Sequence, residues 1–190
     1  MPVQIGQTAA TFADPIGLLK DCHRRIERFL ETLFRMSDAK QGAPLGADER
    51  TALEGALNYF RDAAPRHTED EEDSLFPRLM EHAAVGDPVA LAMIAELEDG
   101  HEQANAAHEE IERLGRRWLA QGSLTPVDAA RMTELLCDLR TFYQRHIATE
   151  DNELFPLAGR MLDAQELAAV GSEMRARRRL QEEIQPRSAA

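Results

Sequence analysis

Two stretches of this chain carry the same rare components in the same order. His67-Thr68-Glu69-Asp70-Glu71 leads into Leu75-Phe76-Pro77, and His146-Ile147-Ala148-Thr149-Glu150 leads into Leu154-Phe155-Pro156. The copies stand 79 positions apart, from 67 to 146. A second pair, Asp21-Cys22-His23 and Asp99-Gly100-His101, repeats at 78, from 21 to 99. The chain therefore reads as two copies of one unit: a lone His, a helix-turn-helix stretch, then a His with a Glu four positions on. Any fold has to accommodate four His and two Glu placed in register.

Apolar spacing supplies the scaffold. Ile16, Leu19, His23, Ile26, Leu30 and Leu33 step by three and four; so do Leu53, Leu57, Phe60, Ala64, His67, Glu71 and Ser74. A third stripe runs Ile94, Leu97, His101, Ala104, His108, Ile111, Gly115 and Trp118, and a fourth Met132, Leu135, Leu139, Phe142 and His146. Each is one face of an amphipathic helix, and each has a His where the pattern calls for an apolar residue. Breakers separate them at 41–46, at Gly86-Asp87-Pro88 and at 121–126. Asp87 and Thr125, each before a Pro, predict N-caps, and Asp163 with Glu166 predicts a capping box opening a fifth helix. Pro65, Pro77 and Pro156 predict local kinks. The fold class expected is all-α: an antiparallel up-and-down four-helix bundle with an additional C-terminal helix. The expected division is an N-terminal arm over 1–13, the bundle over 14–162, and a C-terminal helix and tail over 163–190.

Helix rise fixes the level of the histidines. His23 and His67 lie about 20 residues either side of the first turn, and His101 and His146 about 20 either side of the third; at about 1.5 Å per residue both hairpins return to the level they left. All four imidazoles meet near one end of the bundle, with Glu71 and Glu150 on the same faces as His67 and His146.

Bulk properties narrow the partners. With 34 acidic and 22 basic residues the net charge is −12, which repels nucleic acid and anionic membrane. No apolar run has the roughly 18–20 residues of a membrane span, and the N-terminus lacks the features of a signal peptide. The two cysteines, Cys22 and Cys137, form no CxxC pair and suit a reducing compartment; both are expected as buried thiols, and a cytoplasmic location is expected. The basic cluster of Arg175, Arg177, Arg178 and Arg179 is expected as the solvated end of the last helix.

Burying four imidazoles and two carboxylates without partners costs several kcal/mol each. A metal removes that penalty. Imidazole-rich ligation favours Fe, Zn, Mn or Cu over Mg or Ca, and six ligands exceed what a closed tetrahedral zinc site needs. Two ions, each with two His and sharing two carboxylates, fit best as a non-haem di-iron pair. His108 lies two turns from His101, too far to share its ion. His108, Asn105, Glu27 and Tyr143 are candidates for groups surrounding the ligands. His82 is expected at the surface.

The runs LLKDCHRRIERF, RHTEDEEDSLFPRL, DGHEQANAAHEEI and RHIATEDNELFPLAGRML resemble the hemerythrin-like (HHE cation-binding) family over roughly 14–162. The resemblance implies an up-and-down bundle with two iron ions bridged by carboxylates and an oxo or hydroxo group, manganese or zinc being alternatives. By matching position it implies His23, His67, Glu71, His101, His146 and Glu150 as metal ligands. Two departures stand out. Oxygen-carrying members have a second third-helix His where this chain has Asn105, and an Asp at five residues' spacing where the fourth helix here has Glu at four. The function expected is therefore binding or reaction with O2, NO or peroxide in sensing, scavenging or repair, rather than reversible oxygen carriage. The alternative is a non-catalytic iron-binding or iron-sensing module whose metal mainly stabilises the bundle. No nucleophile, phosphate-loop or dinucleotide motif is present. Carboxylate-rich di-iron oxidases use Glu-x-x-His with four carboxylates, whereas this chain has His-x3-Glu with two, so an enzyme is the weaker reading.

Overall fold

A computed structural model describes residues 10–83 and 86–184, with side chains through residue 178. The helix ends follow local chemistry. Asp14 caps α1 (Pro15–Lys40) by accepting from the Gly17 N–H at 2.9 Å, and α1 stops where Gln41 and Gly42 turn left-handed, at φ 47° and 79°. The second rod comprises α2 (Ala47–Asp62), α3 (Ala64–Asp70), a π-helical turn (Glu71–Leu75) and α4 (Phe76–Ala83). The third is α5 (Pro88–Gln121), capped by Asp87, whose side chain accepts from the Ala90 N–H at 3.0 Å. The fourth comprises α6 (Pro126–Thr149), capped by Thr125, then a second π turn (Glu150–Leu154) and α7 (Phe155–Met161). A reciprocal box opens α8 (Ala164–Ile184): Asp163 accepts from the Gln165 and Glu166 amides, and the Glu166 carboxylate accepts from the Asp163 amide.

Successive rods pack side by side, and α6 closes the ring against α1, giving the expected all-α bundle with an added helix. Among the described residues no helix is long and apolar enough to cross a membrane. At the far end the Leu124 amide donates to the Gly42 carbonyl (2.9 Å) and the Trp118 indole to the Ala43 carbonyl (3.0 Å), so the two turns there are tied together. The apolar interior falls into two clusters. One holds Ile26, Leu30, Leu57, Leu114, Trp118 and Met132; the other holds Leu19, Phe76, Ile94, Phe155, Val170 and Met174, the last two from α8.

The three prolines act in two ways. Before Pro65 the helix breaks at Ala63, between α2 and α3. Before Pro77 and Pro156 it widens instead: the Phe76 amide bonds to the Glu71 carbonyl and the Phe155 amide to that of Glu150, each five residues back. A proline ring collides with the carbonyl four residues behind it in a regular helix, and a π turn moves that carbonyl away.

Two expectations are corrected. Cys22 is buried, but Cys137 is exposed, because its position on α6 faces solvent rather than the stripe. The arginines of α8 are not a solvated helix end. Arg177 and Arg178 turn onto the wholly buried Asp70, with contacts of 2.8 and 2.7 Å, and Arg177 also donates to the Ser74 hydroxyl at 2.6 Å. Arg175 lies over the Phe12 ring at 5.1 Å, and the side chain of Arg179 falls outside the described residues. A buried carboxylate needs such partners, and truncating one member of a buried pair is strongly destabilising. Asp70→Ala is therefore expected to loosen α8. Amide exchange in Ala164–Ile184 will quicken while that of α5 does not; unchanged exchange in α8 would mean that Val170 and Met174 alone hold it.

Candidate metal centre

Between the two apolar clusters lies a polar layer. His23 arrives on α1, His67 on α3, Glu71 at the start of the first π turn, His101 on α5, His146 on α6 and Glu150 at the start of the second π turn. Both carboxylates have no exposed surface, and the four imidazoles are between 1% and 8% exposed. The six side chains converge in two groups. His23, His67, Glu71 and Glu150 place ligand atoms within 4.8 Å of one another, and so do His101, His146 and Glu150. Glu71 reaches the second group as well, its Oε2 lying 3.7 Å from His101 Nε2 and 3.5 Å from His67 Nε2. Glu150 thus belongs to both groups, and Glu71 joins His23 and His67 to His101.

Whether these residues suit a cation is decided by their unmet valences. Both oxygens of Glu71, both of Glu150 and Nε2 of His23 are buried with no hydrogen-bond partner. Buried polar atoms in native proteins are nearly always paired, and five such atoms gathered in one layer fit the donor set of a metal site. Imidazole nitrogen and carboxylate oxygen are the ligands that iron, manganese and zinc share.

The surroundings repeat like the motif itself. The Nδ1 of His23 donates to Asp151 (3.0 Å), and that of His101 donates to Glu72 (2.7 Å). Phe155 stacks on His23 at 5.4 Å and Phe76 on His101 at 6.4 Å. The acid after each ligand-position Glu, and the Phe of each Leu-Phe-Pro, therefore hold the lone His of the other repeat. Carboxylate on Nδ1 fixes the tautomer that presents Nε2 inward. Sequence reasoning missed Glu72 and Asp151. The signal available was the doubled acid itself, Glu71-Glu72 and Glu150-Asp151. Asp151 occupies the five-residue spacing noted for the oxygen carriers, but here its carboxylate faces the back of His23.

The other candidates fall outside this shell or at its edge. Tyr143 is near it, its ring edge-on to His146 at 6.2 Å. His108 bonds through Nε2 to the Tyr143 hydroxyl at 2.9 Å and stacks on Phe60 at 4.8 Å, one layer away from the ligands. Burial pushes its pKa down to about 4, so it is a neutral partner of Tyr143. Asn105 and Glu27 are exposed and hydrogen-bond to none of the six. His82 is at the surface, paired with Glu166 at 2.9 Å.

The electrostatics follow from crowding. Burial raises Glu71 well above the usual carboxylate range, and the Glu150 charge beside it adds to that. Burial resists charging Glu150 less than His146 and His23 favour it, so it is held low. For His23, burial opposes the charge, but the carboxylates of Asp151, Glu150 and Glu71 outweigh it and push the pKa up to about 11. Both shifts favour the protonated forms of His23 and Glu71, with which a divalent cation competes.

Comparison with known proteins agrees with this geometry. A family model described as the hemerythrin HHE cation binding domain matches residues 14–158. A protein of Haemophilus influenzae described as uncharacterized is 31% identical over 180 residues, which is 93% of this chain and 96% of the relative.

Two outcomes are expected. Glu72→Gln and Asp151→Asn will each weaken metal affinity by about 10–100-fold, measured by competition with a chromogenic chelator. An unchanged affinity would remove these two acids from the centre. Metal affinity will also rise with pH between 6 and 9, by about tenfold per unit for each proton displaced, with proton release visible by calorimetry in buffers of different ionisation heat. A flat profile would mean that the centre holds no such protons.

Proposed function

The chain belongs to the hemerythrin HHE cation-binding domain family, and from that premise we propose that it is a non-haem di-iron protein that binds or reacts with O2, NO or peroxide. The observation that carries this reading is the pair of buried carboxylates with unmatched oxygens, Glu150 shared by the His23/His67 and His101/His146 groups and Glu71 reaching from the first to His101. In the proposed centre the six side chains are the ligands. Two irons supply redox chemistry and open positions for a small ligand; the protein supplies everything else. Asp151 and Glu72 hold His23 and His101 with Nε2 inward. Phe155 and Phe76 stack on those rings and restrict their rotation. One His from each helix, instead of the doubled third-helix His of the oxygen carriers, leaves the His101/His146 ion with fewer protein ligands, which favours reaction or sensing over reversible carriage. The roles proposed are sensing, scavenging or repair in the cytoplasm, where Cys22 and Cys137 remain thiols.

A second reading has its own support. The layer joins all four main rods, so an ion there would stabilise the bundle by mass action, as in an iron-binding or iron-sensing module. Elemental analysis of protein purified without chelator, with visible spectra of the reduced form before and after air, separates the two. About two irons per chain and an oxygen-dependent band are expected. Iron that raises the melting temperature without any spectral response to O2 or NO would favour the second reading, and a colourless zinc protein would remove the first.

A further inference from the structure

Tyr59 and Tyr143 are the two tyrosines of the chain, and their hydroxyls meet different company. Tyr59, on α2, donates to the Cys22 carbonyl at 3.5 Å. Tyr143, on α6, meets Nε2 of His108 on α5 at 2.9 Å, and among the described residues its hydroxyl has no other partner. A carbonyl oxygen accepts a hydrogen bond without taking the proton; a neutral imidazole takes it. His108 is neutral and half-buried, lining a cavity of about 330 Å³ between α2 and α5, so an imidazolium formed there keeps some contact with solvent.

Position supplies the other half. The Tyr143 ring stands edge-on to that of His146, with centroids 6.2 Å apart, and Phe142 packs against both at 5.2 and 5.1 Å. Tyr59 reaches the same ring of Tyr143 only by way of Phe60 and His108, in steps of 5.3, 4.8 and 5.7 Å. The single Trp, Trp118, is at the far end of the bundle, its indole held by the Ala43 carbonyl. Tyr143 alone therefore combines an oxidisable ring beside a candidate ligand with a base on its hydroxyl.

We propose that Tyr143 is a redox-active residue, giving one electron to the oxidised metal centre past His146 while its hydroxyl proton passes to His108. The inference rests on the proposed function and adds to it an electron donor carried by the protein. The step balances. The O–H bond of Tyr143 breaks, an N–H bond forms at Nε2 of His108, and the products are a neutral tyrosyl radical and an imidazolium. The electron reduces, by one unit, iron that hydrogen peroxide has oxidised. Moving the proton along an existing hydrogen bond keeps positive charge off the buried phenol, where no solvent would compensate it. An oxidised phenol is a far stronger acid than the phenol itself, so an imidazole of low basicity suffices.

The test is electron paramagnetic resonance on iron-loaded protein mixed with hydrogen peroxide and frozen within milliseconds. An organic radical is expected, with a splitting that collapses when the protein is made with ring-deuterated tyrosine. In D2O it is expected to lose a further coupling, that of the proton which His108 holds against the phenoxyl oxygen. Tyr143→Phe is expected to abolish the signal. Tyr59→Phe is expected to keep it, and since Tyr143 is then the sole tyrosine, that variant assigns the radical even if Tyr143→Phe fails to fold. His108→Gln offers a hydrogen bond but no base, and is expected to slow radical formation by about 100-fold, the scale of a lost general base. Iron protein that responds to peroxide in its visible spectrum but forms no tyrosyl radical overturns the inference and leaves the di-iron reading in place. So does a radical that survives Tyr143→Phe, or a His108→Gln variant that matches the unmodified protein. Protein that takes up no iron, or iron protein silent to O2, NO and peroxide, overturns the reading and the inference with it.

Discussion

Two carboxylates buried side by side in an apolar bundle are the constraint on which the rest depends. Glu71 and Glu150 have no exposed surface and no hydrogen-bond donors of their own, so only positive charge between the imidazole pairs answers their desolvation and mutual repulsion. The bundle is arranged around that demand. Each carboxylate begins a π turn, where the helix widens just before a proline that would otherwise collide with it. Apolar clusters lie on either side of the layer.

Much of this was legible in the chain, because the relevant information is periodic. Four stripes with a His in each gave the rods, and breaker positions gave the turns; Asp87, Thr125 and Asp163 cap their helices as their sequence context implies. The level of the histidines followed from counting residues along the two hairpins. What escaped has a common physical cause. The π turns change the hydrogen-bond register by one residue, and composition does not report register. Glu72 and Asp151 act across the bundle, on helices that sequence alone does not make neighbours. Arg177 and Arg178 resemble any cationic helix end until the buried Asp70, more than 100 residues earlier, is known to face them.

The C-terminal helix also changes the meaning of the repeat. Two equal halves would give two equal ends; α8 covers one of them and lends Val170 and Met174 to the apolar cluster beneath. Its hold on the first π turn is polar as well as apolar, through Ser74 and Asp70, and Asp70 directly precedes Glu71. Docking of this helix is therefore coupled to the backbone that carries one of the two central carboxylates.

The hydrogen bonds from His23 to Asp151 and from His101 to Glu72 run between the repeats, not within them. Each half of the chain leaves its own lone His without a carboxylate and supplies one to the other half. Inheritance of the two ends is thus crossed: drift in the first motif alters the environment of the second half's histidine, and drift in the second alters that of the first. Neither copy can evolve its end of the centre alone.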